Sequence, residues 1–174
     1  MANGWLAPAL LAAIVAALVS VVGWFATARQ SVWLEQRRRL ERMRDFQIAL
    51  RAEIRAELVD LEAYDLEEAY AAIRDRYANE PGFSVRVSAP PRHPIFEAIV
   101  DEIHVLPEEV IDPVVLYARQ RWEMEGVAND IRDPSFNALS AERQLDVVGD
   151  YVNARRRLTT LAQTAVAALG QLPR

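Results

Sequence analysis

The sequence predicts an all-α protein in which one N-terminal transmembrane helix is followed by a long amphipathic helix and a small antiparallel helical bundle. Three observations carry that expectation. The first 28 residues contain no charged side chain beyond the terminus. Apolar residues then recur at three- and four-residue steps, the helical period. Glycine is scarce (6 in 174 residues) and aromatics make up only 8%, which fits poorly with a turn-dense β-sandwich. At this length one domain is expected rather than two.

The N-terminal run from Trp5 to Ala28 is mostly Ala, Val, Leu and Ile. As a helix it extends about 36 Å at about 1.5 Å per residue, enough for a hydrocarbon layer of roughly 30 Å. Trp5 and Trp24 stand near its ends, where indole rings favour the membrane interface. Pro8 falls in the first turn, where a missing N–H is tolerated. Ala26-Thr27-Ala28 imitates a signal-peptidase site, but the segment lacks a basic leader and is longer than a signal core, so residues 1–28 read as a retained anchor. Rows of small residues at Ala9, Ala13 and Ala17 and at Ala12, Ala16 and Ser20 permit close helix approach, although an alanine-rich span produces such rows by chance.

A basic collar, residues 29–44, follows with Arg29, Arg37, Arg38, Arg39, Arg42 and Arg44 against only Glu35 and Glu41. By the positive-inside rule the C-terminal body is expected in the cytoplasm of a bacterium and the N-terminus outside the inner membrane. The same arginines, with Trp33 as an anchor, suit anionic lipid headgroups. All twenty basic residues of the chain are arginine, and from Asp45 onward acidic residues predominate. An acidic body is a poor match for nucleic acid, whose phosphates require a basic face.

Within the body, residues 45–174, Phe46, Leu50, Ile54, Leu58 and Leu61 form one apolar stripe, continued by Leu66, Ala69, Ile73 and Tyr77. No Pro or Gly interrupts Gln30 to Asn79, so an unbroken helix of about 75 Å is expected there. A strict heptad is not expected, because it would place Gln47 and Glu57 in the seam. The stripe reads as a packing face of an antiparallel bundle, or as the face for a partner helix in a second protein or a second copy. Glu53 and Glu57 read as a like-charge pair on a solvated face.

Residues 79–94, NEPGFSVRVSAPPRHP, break the pattern with four prolines and a glycine and read as a linker. Alternation of Phe83, Val85 and Val87 allows a brief strand inside it. Pro94 is placed to open a short helix. Pro107 is placed to begin another, with Glu108 and Glu109 in its first turn, and Pro113 is expected to kink that helix or restart it on Asp112. Asp133-Pro134 should end it. Ser140 is a suitable N-cap for the last helix, and Gly170 a suitable stop.

No catalytic set is apparent and no cofactor is implied. Cysteine is absent, which removes thiol nucleophiles and cysteine zinc sites. The two histidines, His93 and His104, match no metal-ligand spacing, and Glu97 with Asp101 reads as a solvated pair. Phosphate-binding glycine loops, nucleophile elbows and HExxH are all missing.

The arrangement of Phe96, Ile99, Ile103, Leu106-Pro107, Glu109-Val110, Val114-Val115, Tyr117 and Leu139-Ser140 behind an N-terminal span resembles a loose class of bacterial and prophage membrane-anchored helical proteins. That resemblance implies a bacterial or phage setting and no particular activity. Asp112-Pro113 departs from the smoother pattern of the class. The function expected is a non-enzymatic interaction or scaffold role at the inner membrane. The alternative is a phage lysis or envelope-spanning protein of the inner-membrane spanin sort, which requires the body outside and so conflicts with the arginine collar. A continuous stalk like that of ATP synthase conflicts with the break from Pro81 to Pro94.

Overall fold

The computed structural model describes residues 6–89 and 93–171, with side chains described from Ser20 onward apart from those of residues 21, 22, 26 and 99–101. Every regular element among them is helical: α1 (Leu6–Glu62), α2 (Leu66–Asn79), α3 (Pro94–Ile99), a 3-10 segment (Val100–Val105), α4 (Glu108–Arg132), a second 3-10 segment (Pro134–Ala138) and α5 (Ala141–Leu169). The chain divides into two compact units, Met1–Met43 and Arg44–Arg174.

In the first unit the backbone is helical from Leu6, and the side chains described are exposed or nearly so. Arg37 pairs with Glu41 at 3.3 Å and Arg39 with Glu35 at 3.7 Å, one helical turn apart. Such exposed pairs contribute little to stability. Among the described residues no helix is long and apolar enough to cross a membrane. The expected transmembrane helix is therefore not supported at this level; most of the side chains that make residues 1–28 apolar lie outside the described set.

The second unit is built on α5. The outer half of α1 and then α2 run along one side of it in the opposite sense. Arg51 lies against Gly170, Gln163 donates to Glu62 at 2.8 Å, Arg156 pairs with Glu67, and Tyr77 donates to Gln144 at 2.8 Å. On its other side α4 packs along α5, joined to it by the short segment at Pro134–Ala138 and therefore antiparallel. The main core gathers Leu50, Ile54 and Leu61 of α1, Val114, Tyr117 and Met124 of α4, and Ala154, Leu158, Ala162 and Ala165 of α5. A smaller cluster, Ile131, Phe136 and Val148, is flanked by Tyr70, Ile73, Val85 and Val87.

Several expectations are corrected. The helix expected from Gln30 to Asn79 stops at Glu62 and restarts at Leu66. Asp65 is the reason: its backbone is extended, and its carboxylate accepts the N–H groups of Glu67 at 2.9 Å and Glu68 at 3.1 Å. An N-cap followed by two acidic residues is a start signal strong enough to interrupt the stripe without Pro or Gly.

The heptad seam that was not expected is present over one stretch. Gln47, Leu50, Ile54, Glu57 and Leu61 are all buried, at alternating steps of three and four. Phe46 and Leu58 flank the seam, half-buried. Glu53 and Glu57 are consequently not a solvated pair.

Phe83 to Val87 forms no strand among the described residues, but its alternation is used: Val85 and Val87 turn onto the smaller cluster while Arg86 faces out. Gly82 has φ +82°, and the Phe83 N–H bonds the Glu80 carbonyl at 3.1 Å. Pro81-Gly82 thus forms the turn that reverses the chain after α2, with glycine where a side chain would be strained. α4 runs through Pro113 without restarting on Asp112, because the proline sits near the start of the helix and removes only one bond, to Glu109.

A candidate binding cleft walled by a buried carboxylate

Where α1 stops and α2 begins, the two helices do not close over α5. A cleft of about 420 Å3 opens there, bounded by the end of α1, the inner face of α2, residues 85–89, and parts of α4 and α5. Its surface is largely apolar, with Leu61, Leu66, Tyr70, Ile73, Met124 and Val148 prominent. Glu57, Asp60, Arg86 and Arg155 supply its charged groups.

Glu57 belongs both to the cleft wall and to a buried polar cluster. Only 6% exposed, it accepts a hydrogen bond from the Tyr117 hydroxyl. Arg121 Nε lies 3.4 Å from its Oε1, and His93 Nε2 lies 3.5 Å from the same oxygen. A buried carboxylate requires such company, because its desolvation exceeds what one partner returns. Burial, together with the Glu57 charge and the bond to it, pushes the Tyr117 hydroxyl well above its ordinary range, which keeps it a neutral donor. One turn back, Glu53 accepts the backbone N–H groups of Ile95 at 3.0 Å and Phe96 at 2.6 Å, so it caps α3 across the fold. The two glutamates together tie α1 to α4 and to the end of the proline-rich segment.

Arg155, on α5, also lines the cleft. Its Nη2 donates to the Asp60 carbonyl at 2.8 Å, which fixes the guanidinium, while its buried Nε has no acceptor. Outside the cleft, Gln144 joins α2 and the following turn to α5: its Oε1 accepts from Tyr77 at 2.8 Å and Ser84 at 3.0 Å, and its Nε2 donates to the Leu139 carbonyl at 3.0 Å.

The residues singled out from the sequence fall elsewhere. Trp5 lies outside the described residues. Trp24, Arg29, Trp33, Arg37, Arg38, Arg39, Arg42 and Arg44 are exposed on α1, with the Arg37 guanidinium 5.3 Å from the Trp33 ring centre. The stripe offered as a partner-helix face, Phe46, Leu50, Ile54, Leu58 and Leu61, is taken up inside the chain's own core. His93 is buried rather than free in a linker, whereas His104 and Glu97 are exposed; the Asp101 side chain is outside the described set. Among the described residues no group of metal-ligating side chains converges.

The cluster is not legible in the sequence because Glu57 lies about 35 to 65 positions from His93, Tyr117 and Arg121, beyond any local spacing rule. One signal lies in the sequence: Gln47 and Glu57 fall in heptad register with Ile54 and Leu61, the mark of a polar seam. No family model, no curated protein and no solved structure matches this chain.

Proposed function

We propose that the chain is a single-pass protein of the bacterial inner membrane, N-terminus outside, which holds a non-enzymatic helical binding module on the cytoplasmic side. The observation that carries this reading is an exposed band on the first unit. Trp24 is 68% exposed and Trp33 55%, with Phe25 and Val32 beside them, and the arginines of residues 29–44 follow directly behind an uncharged run. Large apolar side chains left bare next to arginine are the pattern of a helix meeting a bilayer surface. Anionic headgroups are the expected counter-surface for the arginines.

Within the module, the buried carboxylate is engaged by Tyr117, Arg121 and His93, which favours a structural part for it over acid–base work. Because the predicted stripe is spent on the core, a protein partner or second copy would meet other surfaces, and the outer side of α4 offers exposed Val115, Leu116 and Trp122.

Intact mass of the protein from carbonate-washed membranes, combined with a compartment-sensitive reporter fused after Arg174, tests the proposal. An uncleaved chain retained in the membrane, with a reporter active only in the cytoplasm, is expected. A mature form beginning at Arg29 would overturn the anchor and favour export, and a reporter active only outside would overturn the topology and favour the spanin-like alternative.

A further inference from the structure

We propose that the cleft at the α1–α2 joint binds a single-chain amphiphile, a long acyl chain ending in a carboxylate, with the chain against α2 and the head at Arg155. The inference does not depend on the membrane proposal. It starts from α2. This helix carries apolar Leu66, Tyr70, Ile73 and Tyr77 toward the module, yet none of its residues is buried, whereas Leu50, Ile54 and Leu61 of α1 are 1% to 5% exposed. The same apolar stripe therefore meets a filled core before the joint and an unfilled space after it. That space, about 420 Å3, falls within the usual range of small-ligand sites, about 300–1,000 Å3.

Its walls come from α1, α2, α4, α5 and residues 85–89, leaving room for a slim chain and not for a helix about 10 Å across. The polar atoms then decide the head. Glu57 is compensated from behind by Arg121, His93 and Tyr117, so it does not call for a cation. Arg155 brings a cation to the wall, its guanidinium already oriented by the Asp60 carbonyl. Arg86 adds a second cation at the rim. An oxygen-bearing anion at the end of an apolar chain satisfies both features, and charge-assisted bonds to guanidinium select a carboxylate over a neutral alcohol.

The test uses the full chain in lipid nanodiscs with a palmitic acid probe carrying a mid-chain diazirine, followed by irradiation and peptide mapping. Labelling at Tyr70, Ile73, Val148 or Tyr151 is expected, displaced by unlabelled palmitate and about ten-fold less effectively by hexadecanol. Ala69→Trp, at an exposed position on the cleft wall, should abolish that labelling with the circular dichroism melt unchanged; if the melt shifts, Ser88→Trp on the facing wall replaces it. Arg155→Met should retain labelling but make palmitate and hexadecanol equal competitors. Labelling confined to residues 20–40, or persisting in the cleft-filling variants, would overturn the site. Equal competition by the two chains on the unmodified protein would overturn the carboxylate assignment.

Discussion

Arg121 and Tyr117 are the residues on which the buried Glu57 depends most directly, and their substitution should be felt out of proportion to their size. Arg121→Met leaves the carboxylate short of its cation in the core, and a loss of about 3 kcal/mol is expected in chemical denaturation. Adding Glu57→Leu to that variant should restore most of the loss, since an apolar pair of similar volume removes the need for compensation. Failure of the double variant to recover would mean that Glu57 acts through something other than this pairing. Tyr117 makes a prediction in pH. Its folded-state ionisation is raised above the ordinary value of about 10, so its contribution is complete below that value and is lost as pH rises beyond it. With neither lysine nor cysteine in the chain, tyrosines dominate the side-chain titration in this window. Tyr117→Phe should flatten the alkaline fall in stability by about 1.4 kcal/mol per pH unit, and an unchanged slope would assign the fall to other tyrosines. None of this was readable from position alone. Glu57 looks like half of a solvated Glu53–Glu57 pair until α4 supplies Tyr117 and Arg121 from about 60 residues away.

Helices were more legible than the residues that join them. Ser140 caps α5 through a bond to the Arg143 N–H at 3.4 Å, and Asp133 ends α4 while its carboxylate accepts from Ser135 at 2.8 Å. Those boundaries could be read because capping is local chemistry between neighbours. The joint at Asp65 obeys the same chemistry but is hidden in the sequence, since the apolar period continues straight across it and neither Pro nor Gly punctuates it. Asp65→Ala removes two bonds to backbone N–H groups and should cost about 1 kcal/mol, measured as a fall in the midpoint of thermal unfolding. Asp65→Ser should return most of it, and a variant as stable as the parent would show that tertiary contacts alone hold the joint. The segment after α2 was misread for a different reason. Alternation at Phe83, Val85 and Val87 marks which side chains face inward, but a strand also requires a partner with free backbone groups, and every neighbouring element here is a helix.

For the molecule as a whole, the division at Met43 and Arg44 implies that residues 44–174 carry their own core and will fold as a separate polypeptide. Circular dichroism of that polypeptide should show a helical spectrum with a cooperative melt, and a non-cooperative melt would make the preceding helix part of the folding unit. Opening free energies across it will not be uniform. α4 and α5 share the most extensive packing and are neighbours in sequence, so their amides should exchange only on global unfolding. α2, with no buried residue, is held to α5 by a few links such as Tyr77 to Gln144 and Arg156 to Glu67. Its amides should exchange earliest of the long helices in the module, in a regime independent of denaturant at low concentration. A helix that detaches so cheaply turns the adjoining space from a static hollow into one with a hinged side. Entry and exit there would be timed by the excursions of fourteen residues and not by the lifetime of the fold.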